Sequence, residues 1–246
     1  MADVDLESLA TGYAHRPPIP GSLARAGAAW EASGAQSGEV AVDVGGGLGR
    51  HAAVWAAAGA RALVVDPAAG MVRSAATLPG VAAIRARAEA VPLGDGYAAL
   101  VRFDWSLHHT DWPLAIREAA RLLRRGGRLE IATPSPDDVA GSHLARWFPA
   151  MIPIDLARFP DVDQLTDAVT QAGFVDVQRE HDVAPIHRRV GDWVAVVEAG
   201  FVSSLQLLSP GERAAGVARF REQHPDPDGV VSYDVRYESL AATAPR

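Results

Sequence analysis

Val40-Ala-Val-Asp-Val-Gly-Gly-Gly-Leu-Gly-Arg-His51 is a short apolar run that breaks into glycines and then turns helical. Val40 to Val44 is interrupted only by Asp43, the pattern of a parallel strand covered on both faces. Gly45, Gly47 and Gly49 follow at alternate positions, and glycine lets a backbone turn sharply and a ligand approach it closely. The alanine-rich segment His51–Ala58 predicts a helix whose first N–H groups face the loop. A lone glycine loop is a weak signal, so the next strand carries the argument.

Arg61-Ala-Leu-Val-Val-Asp66 reads as a second buried strand, ending in an acid 17 positions after Gly49. A carboxylate at that point can accept both hydroxyls of a ribose. The bland alternative is a tight turn at the glycines and a helix cap at Asp66. Acid-x-Gly-x-Gly-x-Gly plus a second acid resembles the class I S-adenosylmethionine (SAM) dependent methyltransferases. Within them the chain resembles the small-molecule branch typified by ubiquinone and menaquinone biosynthesis. The resemblance is densest from Val40 to Thr133. It implies an α/β, Rossmann-like, seven-stranded and mostly parallel sheet with an antiparallel last strand, helices on both faces and a helical lid.

The resemblance also implies SAM as cofactor, S-adenosylhomocysteine as product, and a site for both across the strand ends. Asp66 would take the ribose. Asp43 would sit under the loop of Gly45, Gly47 and Gly49, and Gly45, Gly47, Phe103 and Asp104 would hold the methionine end. Tyr13 and Arg16, in the stretch Tyr13-Ala-His-Arg-Pro-Pro-Ile-Pro20, would close over the carboxylate, for which arginine is the natural fork. Pro67 and Met71 would pack on adenine. In Arg87-Ala-Glu-Ala-Val-Pro-Leu93 the Ala88 backbone N–H would meet adenine N1, and Glu89 would lie at the cofactor. Leu107-His-His109 after the fourth strand would face the transferred methyl, with His108 or His109 as a base whose pKa lies near the working pH.

Three positions depart from that pattern. Arg87 stands where the family has an adenine-binding aspartate, and a guanidinium only donates. Ala98-Ala99 replace Phe-Asp. Arg102 lies inside a buried strand and demands a carboxylate partner or an opening to the substrate cavity. These departures motivate a rival reading: a SAM fold that binds cofactor without methylating, as a cyclase-like or regulatory protein.

Composition limits the alternatives. The chain has 246 residues, enough for one large domain, and a net charge of −7 that offers no bulk attraction to a polyanion. It contains neither cysteine nor lysine, excluding disulfides, a cysteine nucleophile, a Schiff base and a P-loop lysine. Nucleic-acid and membrane partners are not expected, nor is a metal, since no set of acids clusters near Asp104. The expected partner is a small-molecule methyl acceptor, the expected location cytoplasmic, and the protein a monomer or homodimer. The layout is one domain: an arm and helix over 1–35, a cofactor-binding core over 36–135, and lid or cap segments over 136–160 and 182–226. Met1–Ala10 reads as loosely ordered, Pro113–Arg125 as an amphipathic helix burying Leu114, Ile116, Ala120 and Leu123, and Asp192–Leu208 as one cap helix. His181 and His187 read as solvent-facing.

Overall fold

The structure is a computed structural model describing residues 5–13 and 16–245. Seven strands form one sheet: β1 (Val40–Val44), β2 (Arg61–Asp66), β3 (Val81–Arg85), β4 (Ala98–Asp104), β5 (Leu123–Thr133), β6 (Val175–Arg189) and β7 (Val230–Thr243). Their order is β3-β2-β1-β4-β5-β7-β6, and only β7 runs antiparallel to its neighbours. This is the Rossmann-like α/β sheet that the strand–loop–helix reading expects.

The helices are α1 (Leu6–Tyr13), α2 (Ser22–Ala32), α3 (Arg50–Ala57), α4 (Ala69–Ala75), α5 (Trp112–Leu122), α6 (Pro136–Ala140), α7 (His143–Trp147), α8 (Met151–Leu156), α9 (Val162–Gln171), α10 (Val190–Glu198), α11 (Ser203–Leu207) and α12 (Pro210–Gln223). Small residues let α2 and α3 lie close to one face of the sheet, where Ala26, Ala29 and Ala52 pack around Trp55. The Trp55 indole is satisfied there by donating to the Ala26 carbonyl at 2.7 Å. On the opposite face α5 and α9 bury Ile116, Ala119, Leu122, Leu165 and Val169. Both faces of β1 and β4 are therefore covered, which is why these strands are almost wholly apolar.

Past the sheet's carboxyl edge the chain builds a second core. Trp147, Phe148 and Met151 meet Trp193, Val194, Leu205, Val217 and Phe220. Trp193 stacks on Phe220 with ring centroids 3.6 Å apart, and Trp147 meets Phe220 edge-on at 5.1 Å. The β6–β7 ladder continues beyond the end of β5 at Thr133, from His181 opposite Glu238 to Arg189 opposite Val230. The hairpin thus stands out from the sheet and walls the space beneath this cap.

Several expectations are corrected. Residues 6–13 of the N-terminal arm form α1, because Glu7 accepts from Ala69 and Gly70 N–H at 2.6 and 3.1 Å and ties α1 to the start of α4. Residues 1–4 lie outside the described residues. The α5 helix ends at Leu122 rather than Arg125, since Leu123 is extended, buried and already paired with Ala98. Leu114 is exposed, not core. The expected helix Asp192–Leu208 is two helices, α10 and α11, parted where Gly200 takes a left-handed φ of 66°. Residues 182–189, expected as cap, are the outer half of β6.

The cap core predicts its own weak point. A Cβ added to Gly216 would overlap the fully buried Phe148 ring, so Gly216→Ala should lose about 1–3 kcal/mol in urea unfolding. Gly211→Ala, on the same helix with open space around it, should be close to neutral.

Candidate active site

The β1 loop is shaped by its glycines and pinned by β2. Gly45, Gly47 and Gly49 have φ values of 69°, 53° and 75°. The Gly47 N–H donates to Asp66 Oδ2 at 3.0 Å, and the Ala68 N–H donates to Asp66 Oδ1 at 2.9 Å. A carboxylate has about four acceptor positions, so Asp66 keeps capacity for further donors. Burial raises its pKa, and the two backbone hydrogen bonds pull against that rise.

Beside Asp66 lies a compartment of about 110 Å³. Pro67, Met71, Ala88 and Glu89 line it, together with Tyr13, Gly45, Gly47 and His109. A Cβ on Gly47 would stand 3.4 Å from the Tyr13 ring and 3.8 Å from the Met71 sulfur, so the glycine leaves this wall open. Arg87 also lines the compartment; its side chain is 73% exposed and pairs with Glu89 at 3.3 Å. Glu89 also accepts from the Asp111 N–H at 2.7 Å and so braces the loop before α5.

A second space, about 50 Å³, adjoins the loop's other side and is lined by Tyr13, Arg16, Asp43, Gly45, His51 and Asp104. Beneath it sits a buried charge cluster. Arg102 Nη2 donates to Asp104 Oδ1 at 2.7 Å, the carboxylate partner that a buried arginine requires. His51 bridges the acids, with Nδ1 3.9 Å from Asp43 and Nε2 3.8 Å from Asp104. Neither oxygen of Asp43 has a hydrogen-bond partner among the described residues. Burial, then Asp104 and Asp66, push the Asp43 pKa up to about 7 against the pull of Arg102. Burial also raises Asp104, but Arg102 and His51 outweigh it and hold Asp104 below the ordinary value. A Cβ on Gly46 would lie 2.6 Å from the Asp43 carboxyl carbon, so only glycine fits above this acid.

Two of the residues expected to bind the cofactor line neither space. Gly49 caps α3 and packs toward Ala75, Leu78 and Val64, while the Phe103 side chain is in the core. Arg16 has no carboxylate partner among the described residues. It stacks over the Tyr13 and Trp105 rings at 5.2 and 5.7 Å, and its carbonyl accepts from Arg50 at 2.5 Å.

Both spaces meet a cavity of about 1050 Å³ under the cap. Tyr13, Trp105 and His109 border both this cavity and the compartment beside Asp66, whereas His108 borders the cavity alone. Trp105 reaches the junction with a φ of 56°, a strained conformation for a bulky residue. His108 stacks between Phe159 and His109, with centroids 4.1 and 4.0 Å away, and its Nδ1 has no partner. Burial, then His109 and Arg158, drive its pKa well below the usual imidazole value.

Arg158, after α8, defines the second histidine. Its Nη2 donates to Ser203 Oγ at 2.8 Å and lies 3.4 Å from His109 Nδ1. A guanidinium can only donate, so Nδ1 accepts and the His109 proton sits on Nε2. Burial and then the Arg158 charge lower the His109 pKa to about 4. His109 is therefore a neutral N–H donor, and His108 keeps a buried Nδ1 without a partner among the described residues. Asp155, which accepts from Ser204, lies 3.7 Å from Arg158.

The sequence reading missed His51, Trp105 and Arg158. His51 stands eight positions after Asp43, a spacing that hints at the contact, but nothing in sequence ties Arg158 to His109. The reading also expected no metal ligands. Asp138, His181 and Glu238, on the cavity wall, bring one ligand atom each within 4.8 Å of one another. They are already engaged, His181 with Asp138 at 3.0 Å and Glu238 with Arg179 at 2.9 Å.

Residues 42–131 match the family described as "Methyltransferase domain". A protein assigned to an antibiotic biosynthesis pathway of Anabaena variabilis superposes with a TM-score of 0.71 at 18% identity, over 93% of this chain and 99% of its own. The YcgJ protein of Bacillus subtilis gives 0.64 at 17%, over 90% and 98%. Geranyl diphosphate C-methyltransferase of Streptomyces coelicolor, solved with Mg²⁺, geranyl diphosphate and S-adenosylhomocysteine, gives 0.55 at 17%, over 90% and 78%. A search of curated protein sequences gave no match. Among the described residues, no helix is long and apolar enough to cross a membrane.

Two measurements follow from the electrostatics. Folded Asp43 keeps its proton up to about pH 7, whereas an unfolded carboxyl releases it near pH ~4, so this group's contribution to stability falls as pH rises between those values. The melting temperature of wild type relative to Asp43→Asn should therefore drop from pH 5 to pH 8. By nitrogen-detected NMR, His109 should be the Nε2–H tautomer, and Arg158→Gln should raise its pKa.

Proposed function

We propose that this protein is a class I SAM-dependent methyltransferase that methylates an O, N or C nucleophile of a small molecule bound in the capped cavity, a reading supported by the match of residues 42–131 to a methyltransferase-domain family. The observation carrying this reading is the junction at Tyr13, Trp105 and His109, where the compartment beside Asp66 opens into that cavity. Bound SAM supplies an electrophilic methyl group.

The residues present fit that cofactor. Asp66, buried yet with acceptor capacity in hand, would take the ribose hydroxyls. Pro67, Met71 and Ala88 offer adenine an apolar slot, and a thioether suits an aromatic face. Glu89 lines the same slot while bracing its loop. Arg16, cationic and without an acid partner among the described residues, would meet the methionine carboxylate. Gly45, Gly47 and the Phe103–Asp104 end of β4 would hold the amino group above the orphaned Asp43. Gly49 supports the loop from behind.

The acceptor would bind against His108 and His109. His109 Nε2–H donates to a lone pair of the reacting atom and orients it. His108 Nδ1 takes the proton that an O–H or N–H nucleophile gives up. Its lowered pKa keeps it neutral, and burial excludes competing water, so positioning supplies most of the rate. The apolar cap of Trp, Phe and Met suits a secondary metabolite, and the enzyme would act in the cytoplasm as a monomer or homodimer.

Calorimetric titration should give micromolar binding of both SAM and S-adenosylhomocysteine. Asp66→Ala should weaken both by about tenfold or more, the worth of hydrogen bonds to a charged group. No binding to folded wild type would unseat the proposal. Binding of both, with no acceptor ever methylated, would favour a protein that uses the cofactor without methyl transfer.

A further inference from the structure

The large cavity carries charge that its own residues leave unmatched. Most of its acids are engaged: Glu238 and Asp163 with Arg179, Asp138 with His181, Asp234 with Arg236, and Asp155 with Ser204 and Arg158. Asp161 caps α9, and Asp137 lies in the first turn of α6. Arg188 is different. It lines the cavity half-buried, its side chain has no hydrogen bond or ion pair with any described residue, and its Nη1 is fully buried without a partner. A desolvated guanidinium nitrogen left unpaired is costly unless a ligand satisfies it.

Its place in the fold says which end of a ligand it would meet. Arg188 pairs in register with Val231, seven residues beyond His181, which sits where β5 ends. At a rise of ~3.3 Å per residue, that is roughly 20 Å out along the hairpin. His108 and His109 lie at the sheet edge, so the two features stand at opposite ends of one cavity. Between them the lining mixes apolar side chains, Met151, Ile186, Phe201 and Val202, with the paired charges already named. Next to Arg188, Tyr233 stacks flat on His143 with centroids 4.0 Å apart.

We propose that the cavity takes an elongated molecule with an apolar part and, at its far end, an anionic group, a carboxylate, sulfonate or phosphate, held by the Arg188 fork. This rests on the methyl-transfer reading only for which end reacts. A planar guanidinium matches such groups bidentately, and the half-buried setting of Arg188 strengthens the pair.

The test uses two fluorescent probes on one arylamine scaffold. 8-Anilinonaphthalene-1-sulfonate carries the anion, and N-phenyl-1-naphthylamine does not. The sulfonate should bind wild type, and Arg188→Gln should weaken it by about tenfold or more, as for loss of a charge-assisted contact. The neutral probe should change by less than about twofold, because apolar burial is untouched. Arg188→Lys, keeping the charge but not the fork, should fall between and covers the case in which Arg188→Gln does not fold. Thermal melting would confirm that each variant is native. Failure of the sulfonate to bind wild type, unchanged sulfonate affinity in Arg188→Gln, or equal loss of both probes would each overturn the proposal. A parallel titration with S-adenosylhomocysteine keeps the readings apart. If it does not bind while the probes still discriminate, methyl transfer falls and the anion site stands.

Discussion

A positive charge in the middle of the sheet is the constraint around which the site is arranged. Arg102 stands in β4 with Asp43 of β1 opposite it on one side and Glu130 of β5 on the other, and is only 3% exposed. A buried guanidinium must be neutralised within hydrogen-bond reach, and Asp104, two residues on and so on the same strand face, does this at 2.7 Å. That pairing has consequences at the strand's carboxyl end. It orients Asp104 into the space beside the glycine loop, draws His51 in from the start of α3, and leaves Asp43 as the acid without a donor. Burial and neighbouring acids then favour its protonated form. The loop above depends on the same packing, since the Asp43 carboxyl fills the place where any side chain on residue 46 would go.

The cap is a different physical problem. It has its own core of stacked and edge-on aromatics and no sheet to template it. It therefore rests on the β6–β7 hairpin, whose ladder outruns the rest of the sheet. The product is a cavity whose floor belongs to the cofactor-binding sheet and whose roof belongs to the cap. The two are linked at Arg158, which reaches from the end of α8 to the His109 ring and to Ser203 of α11. A change in cap position would thus alter the protonation and orientation of a histidine at the junction. The strained backbone of Trp105 lies in the same place, held by its N–H to the Ala132 carbonyl at 2.9 Å and by packing against Phe159 and Tyr237.

The departures that weakened the resemblance have local explanations. Arg87, largely exposed on the compartment's wall, has its charge matched there by Glu89. Ala99 is simply core. Arg102, the most alarming in sequence, is paired within its own strand.

The sequence by itself determined the strand–loop–helix unit at Val40–His51, the acid ending the second strand, the alternation of strands and helices, and hence the sheet and where its ligand side lies. Those signals are local: an apolar run of strand length, glycines at fixed spacing, an acid at a strand end. It misjudged elements whose bounds depend on what they touch. The arm helix is stabilised by Glu7 reaching a helix start more than sixty residues away, and α5 is cut short because Leu123 is needed in the sheet. The tertiary structure alone decided which histidine is a donor and which keeps a free nitrogen, because Arg158 lies 49 positions from His109. It alone decided that Arg188 has no partner among the described residues, since pairing among charges distant in sequence is set only when the cap closes over the sheet.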